Sequence, residues 1–252
     1  MKYKICIAIP IKSDDLNINR QLVENSLEKK PDLIEFRFDY INEVKFITFS
    51  FLTELLSLIT PKIPIIFTFR RIQERGQYNL NKDERLQILK LLVEAKPDYL
   101  DIEMKSDIKI LKIITNLAYE NNVDLIFSFH DFENTPTYEE TISLLDKLKD
   151  KLVHECSVDL DKIHESVFKL IFTPQKFEDN LNILKICRTL SQDGKKIVCF
   201  AMGELGIFSR IMCVKFGSLW TYGSLRDKTA PGQINIKTLR EMHQLLDMIY
   251  YS

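Results

Sequence analysis

Eight short runs rich in β-branched and aromatic residues recur along the chain, with helical periodicity in the segments between them. They are KICIAIPI (4–11), LIEFRFDY (33–40), PIIFTFR (64–70), YLDIEM (99–104), DLIFSFHDF (124–132), VFKLIFTP (167–174), KIVCFAMG (196–203) and SLWTYGSL (218–225). Strands that alternate with helices imply parallel pairing, because a parallel connection needs a crossover. Eight such units in 252 residues have the count and size of a closed (β/α)₈ barrel, expected as a single domain over residues 1–252. A doubly wound open sheet is the rival, but its usual glycine-rich first turn is absent. Only seven glycines are present, and no G-x-G-x-x-G or phosphate-binding loop occurs.

The intervening segments read as helices. Residues 81–96 place Leu86, Leu89 and Val93 on one face, and Asn81 with Glu84 has the spacing of a capping box. Residues 235–250 repeat apolar positions at Leu239, Met242, Leu246 and Ile249, which suits a helix packed on a sheet.

Composition narrows the function. A net charge of −1 offers no basic field for nucleic acid. The N-terminal apolar run is short, is flanked by Lys12, Asp14 and Asp15 and lacks a small-residue cleavage site, and no stretch reaches bilayer length. The expected location is cytoplasmic. Cys6, Cys156, Cys187, Cys199 and Cys213 are scattered and odd in number, which argues against a disulfide framework or a zinc cluster.

Polar residues collect near the C-terminal ends of the strands, where such barrels place their active sites. EFRFD (35–39) alternates Glu35, Arg37 and Asp39 with two phenylalanines, so an extended strand shows three charges on one face. Arg70, then Asp101 with Glu103, then Ser128 with His130, and finally Lys169 follow on successive strands. One such residue fits a half-exposed strand, whereas five consecutive strands point to a shared polar mouth. Lys169, in VFKLIF and expected near Arg37, Arg70 and Arg210, is the candidate nucleophile: desolvation and like charges both favour a neutral amine. A lysine amine suits imine formation with a ketone, and His130 is placed to move protons. His154, His164 and His243 fall in helical or connecting stretches and read as surface or packing residues.

Further motifs run through nearly the whole chain: T-F-R-R-I-Q-E (68–74), S-F-H-D-F (128–132), K-L-I-F-T-P-Q (169–175), M-G-E-L-G-I-F-S-R (202–210), F-G-S-L-W-T-Y-G (216–223) and A-P-G-Q-I (230–234). With E-F-R-F-D, and in this order, they make the chain resemble the type I 3-dehydroquinate dehydratases of the shikimate pathway. The resemblance implies a barrel that dehydrates 3-dehydroquinate to 3-dehydroshikimate without a metal or organic cofactor, and a homodimer to which Tyr250 and Tyr251 could add contact surface. It implies Lys169 as the imine-forming residue, His130 as general base and acid, and Glu74 as the residue that orients His130. Arg210 would hold the substrate carboxylate, Glu35, Arg37 and Arg70 would bind the hydroxyl-bearing ring, and Thr229 with Gln233 would lie on a closing loop.

Three departures accompany the resemblance. Thr229 stands where serine is usual, and Phe200 stands where methionine is common. The segment between His130 and Lys169 is long, and its VHECSVDLDKIH (153–164) offers a rival sixth strand with Lys162 as a rival nucleophile. Among other functions, a class I aldolase for phosphorylated substrates would need a phosphate cradle near the last two strands. A catalytically silent binding module would be expected to lose the lysine or the histidine, and a metal-dependent hydrolase lacks a paired-histidine motif.

Overall fold

The computed structural model describes residues 3–59, 63–225 and 232–251. β1 (Ile5–Pro10), β2 (Leu33–Arg37), β3 (Ile65–Thr68), β4 (Tyr99–Glu103), β5 (Asp124–His130), β6 (Val167–Phe172), β7 (Lys196–Ala201) and β8 (Thr221–Ser224) form one parallel sheet. Its order, β7-β6-β5-β4-β3-β2-β1-β8, is that of a strand-by-strand barrel, as expected from the sequence. Between β7 and β8 the connection is local: the Leu219 amide donates to the Ile197 carbonyl at 2.8 Å. A short β9 (Ile234–Asn235) pairs with the outer end of β8.

The crossovers contain α1 (Leu16–Leu27), α2 (Phe49–Ser57), α3 (Lys82–Glu94), α4 (Ile108–Glu120), α5 (Tyr138–Asp150), α6 (Leu160–Glu165), α7 (Asp179–Gln192) and α8 (Ile207–Met212), and α9 (Ile236–Tyr251) follows β9. α3 starts at the expected capping box, with Asn81 accepting from the Glu84 amide and Glu84 from the Asn81 amide. Among the described residues no helix is long and apolar enough to cross a membrane.

Strand alternation divides the apolar residues into two cores. Ile7, Ile34, Phe36, Phe67, Ile102, Phe127 and Leu170 face outward into the layer shared with the helices. Cys6, Leu33, Ile66, Ile126, Val167, Val198 and Tyr222 belong to a second cluster inside the barrel. The five cysteines are buried and unpaired.

Two readings of the sequence are corrected. β2 stops at Arg37, and Phe38–Tyr40 form a 3-10 turn, so Asp39 is not on an extended strand. The turn lets Asp39 receive both the Arg37 guanidinium and the Arg70 amide, while Phe38 packs edge-on against Phe67 with centroids 4.7 Å apart. The rival sixth strand at VHECSVDL does not form: the segment is the end of one helical turn, an irregular link over 156–159 and the start of α6. Lys151–Glu155 form a π-helical turn that buries Leu152, Cys156 is buried four residues further on, and Asp159 caps α6 by accepting from the Asp161 amide. Lys162 lies exposed on α6, its ammonium 4.7 Å from the Tyr119 ring centroid. Thr229 lies outside the described residues, as do the side chains of Tyr250 and Tyr251.

Phe67 is fully buried between Phe36 and Phe38 on the outer face of β3. Phe67→Ala should lower the unfolding free energy by ~3–5 kcal/mol, the usual cost of a large aromatic cavity. Urea denaturation measures it, and a loss under about 1 kcal/mol would show that this layer refills the space.

Candidate active site

Inside the barrel the sheet register sets charged residues beside polar ones. Thr68 pairs across to Asp101, Glu103 to Ser128, and Ser128 to Lys169. Asp101 is the hub. It receives Arg70 at 2.8 Å, Lys169 Nζ at 3.0 Å and the Ser128 hydroxyl at 2.6 Å. Burial alone would raise its carboxyl, but Arg70 and Lys169 hold it well below the usual carboxylate range. Arg70 also reaches Glu103 at 3.1 Å and Ser128 at 2.7 Å, and Glu103 accepts from Arg85 at 2.6 Å. Burial works against the Arg70 cation, yet its carboxylate partners push its pKa well above the ordinary arginine value.

Lys169 Nζ lies between two carboxylates, Asp101 at 3.0 Å and Glu35 Oε1 at 3.5 Å. The expected arginines line the same cavity, but the groups in direct contact with this amine are two acids that the sequence did not pair with it. Its nearest charged groups are acids, while Arg70 shares Asp101 Oδ2 with it. Glu35 is itself fixed by the Thr68 hydroxyl at 2.6 Å.

His130 ends β5 and faces the same space. Its Nδ1 is 2.8 Å from Glu74 Oε2. Glu74 reaches it from a 3-10 turn, Ile72–Glu74, that doubles back after β3. The turn is tight enough that a Cβ on Gly76 would fall 1.9 Å from the Arg70 carbonyl oxygen. Burial, reinforced by Arg70 and Lys169, holds the imidazole pKa well below its ordinary value. Burial likewise raises Glu74, whose Oε1 is buried with no partner among the described residues. Near neutral pH the ring is uncharged. With Glu74 ionised, Nδ1 carries the proton and Nε2 keeps a lone pair available as a base.

A cavity of ≈ 110 Å³ opens at this end of the barrel. Glu35, Arg37, Arg70, Glu74, His130, Lys169, Arg210 and Gln233 all line it, so the structure brings together the described residues that the family resemblance assigns to the site, while Asp39, Asp101, Glu103 and Ser128 lie behind its lining. Arg210, on α8, is 2% exposed, and its guanidinium lies 4.5 Å from the Phe200 ring centroid. Lost hydration lowers its pKa to about 10. Phe200, the departure noted in the sequence, thus supplies a π face under this cation. Gln233 reaches the rim through a turn at Gly232, where φ is +73° and a Cβ would sit 2.1 Å from the Gly203 carbonyl oxygen.

Sequence reasoning gave no role to Asp101, Tyr222, Phe132 or Arg75. Phe132 stacks on His130 at 6.0 Å, and Arg75 covers Phe132 at 4.2 Å. Alternation along the strands placed Asp101 inward, but nothing in one sequence shows which lysine a carboxylate will meet.

The fold and this cavity define a barrel enzyme built around a buried lysine and a neutral histidine. The chain belongs to the type I 3-dehydroquinase family, whose family model matches residues 7–250, and it is accordingly a hydro-lyase with the 3-dehydroquinate dehydratase activity of that family. It is 32% identical over 242 residues to a 3-dehydroquinate dehydratase of Methanococcus maripaludis, covering 96% of this chain and 100% of the relative. It is 30% identical over 219 residues to one from Listeria innocua, covering 85% and 82% of the two chains. A type I 3-dehydroquinate dehydratase from Clostridium difficile, solved with covalently modified comenic acid, superposes with a TM-score of 0.82 at 27% identity, covering 97% of this chain and 92% of that one.

Asp101→Asn leaves Arg70 and Lys169 without their shared anion and should cost ~3–5 kcal/mol near neutral pH. Because the folded carboxyl is depressed, its contribution is present above the unfolded value of ~3.9 and is lost as pH falls toward the folded one. The difference between wild type and D101N in urea should therefore narrow below about pH 4. A gap independent of pH would remove Asp101 from the charge network.

Proposed function

We propose that the chain converts 3-dehydroquinate to 3-dehydroshikimate in the cytoplasm, as a step of the shikimate pathway, through an imine on Lys169. Once its ammonium has passed a proton to a neighbouring acid, Lys169 adds to the substrate ketone carbon. Loss of the carbonyl oxygen as water leaves an iminium. The iminium draws electrons from the adjacent C–H bond, and His130 Nε2 takes that proton. The resulting enamine expels the β-hydroxyl as water with the proton His130 returns. Hydrolysis then frees the enone and restores the amine.

The observation that carries this reading is the placement of Lys169 between Asp101 and Glu35 in a cavity that His130 also lines. Glu74 holds the ring in the tautomer that leaves Nε2 as the base. Arg210, a buried guanidinium on the cavity wall, can bind a carboxylate through two parallel N–H bonds. Arg37, tied to Asp39 through two nitrogens, and Gln233 on the rim are placed to position ring hydroxyls. Thr229, expected beside Gln233, belongs to the same proposal without structural support.

Borohydride added in the presence of 3-dehydroquinate should trap a secondary amine, and peptide mapping should find it on Lys169. Adduct on Lys162, or trapping that survives Lys169→Ala, would overturn the assignment. Turnover without any adduct would end the imine mechanism.

Arg210→Ala should weaken substrate binding by ~2–5 kcal/mol, and Arg210→Lys should recover part of it. An unchanged KM in Arg210→Ala would take this residue out of carboxylate recognition.

A further inference from the structure

Tyr222 faces into the barrel from β8, and the chemistry above leaves it unused. Its ring lies against the reactive amine, with Lys169 Nζ 4.6 Å from the ring centroid. The side chain lines the same cavity, yet its hydroxyl is buried with no hydrogen-bond partner among the described residues. Two residues earlier, the indole N–H of Trp220 is also buried and lies beside this hydroxyl without a well-formed hydrogen bond to it. Leaving such groups unmade is costly, so two of them together call for a physical account.

Counting donors at Lys169 supplies one. An ammonium has three N–H donors and here faces two carboxylates, Asp101 at 3.0 Å and Glu35 at 3.5 Å. An iminium nitrogen has one N–H. It can keep one carboxylate, and the shorter contact favours Asp101, so Glu35 loses a donor when the covalent intermediate forms. Tyr222, on β8 with only β1 between it and the β2 strand of Glu35, lies against the same amine and has no hydrogen-bond partner for its hydroxyl among the described residues. We propose that Tyr222 is a positioning residue of the lysine centre, whose hydroxyl gives Glu35 the hydrogen bond that Lys169 relinquishes on becoming an iminium. Trp220 can only donate, so its N–H suits the phenol oxygen and leaves the phenol proton for the carboxylate. Burial raises the Tyr222 pKa well above the ordinary tyrosine value, and Glu35 is the charged group that raises it most. The phenol therefore keeps its proton and remains a donor.

The proposal rests on the imine reading, and the experiment separates the two. Tyr222→Phe keeps the ring and removes only the hydroxyl; Tyr222→Leu removes the π face as well. Each full-length variant is compared with wild type in kcat, KM, thermal midpoint and the fraction trapped on Lys169 by borohydride with 3-dehydroquinate. Y222F should lose roughly tenfold or more in kcat, as expected for a hydrogen bond to a charged group, with KM within about twofold. Its trapped fraction should fall, and its thermal midpoint should hold because the ring that fills the space is kept. Y222L should fall further in kcat. Wild-type kcat and trapping in Y222F would overturn the proposal. So would a kcat loss that follows a lowered midpoint, which would make Tyr222 a packing residue. Absence of a Lys169 adduct in wild type would instead sink the imine reading beneath it.

Discussion

The contact on which the rest of the site depends is the buried carboxylate of Asp101, shared by Arg70 and Lys169 at 2.8 and 3.0 Å. A barrel interior is ordinarily filled with branched apolar side chains. Here β2 to β6 put Glu35, Thr68, Asp101, Ser128 and Lys169 into it, all buried. Desolvating so many charges is tolerable only when each meets an opposite charge or a hydrogen-bond donor in good geometry. Glu103 extends the cluster outward, taking Arg70 on one oxygen and Arg85 of α3 on the other. The helix layer thereby helps to fix a guanidinium inside the barrel.

Strand alternation keeps the stabilising layer apart from the reactive one. Outward residues such as Phe36, Phe67 and Phe127 bury apolar area against the helices. The inward face of the same strands is then free to carry charge, with an apolar floor of Leu33, Ile66, Ile126 and Val198. Residues at the mouth come from short irregular segments: Glu74 from a turn after β3, Arg210 from α8, and Gln233 from the approach to β9. Each is held by a local backbone constraint, as the close passage of Gly76 under the Arg70 carbonyl shows.

Much of this was legible in the sequence, for a physical reason. Period-two alternation and helical periodicity are strong local signals, and the capping box of α3 and the inward direction of Lys169 and His130 follow from them. The end of β2 was not legible, because EFRFD satisfies an extended strand and a strand that breaks into a turn equally well. VHECSVDL carries β-branched residues on a segment that instead buries Leu152 and Cys156 through a helical turn and an irregular link. The charge around Lys169 failed for another reason. Proximity in a barrel mouth does not say which partner wins, and Asp101 claims both Arg70 and Lys169.

The His130–Glu74 contact shows burial outweighing pairwise attraction. An exposed histidine 2.8 Å from a carboxylate would have its imidazolium stabilised and the acid strengthened. Here the imidazole is pushed down and the carboxyl up, with burial the leading cause for each. Arg70 and Lys169 add to the effect on His130, since a third positive charge beside them is unfavourable. The cations of the Asp101 cluster thus help to keep the ring neutral, which is the protonation state a base needs before it meets a C–H proton. In the proposed reaction the same ring would become cationic on taking that proton, with Glu74 at Nδ1 the nearest anion to it. On that proposal one contact would serve both states: a tautomer lock while the ring is neutral, and a counter-ion when it is charged.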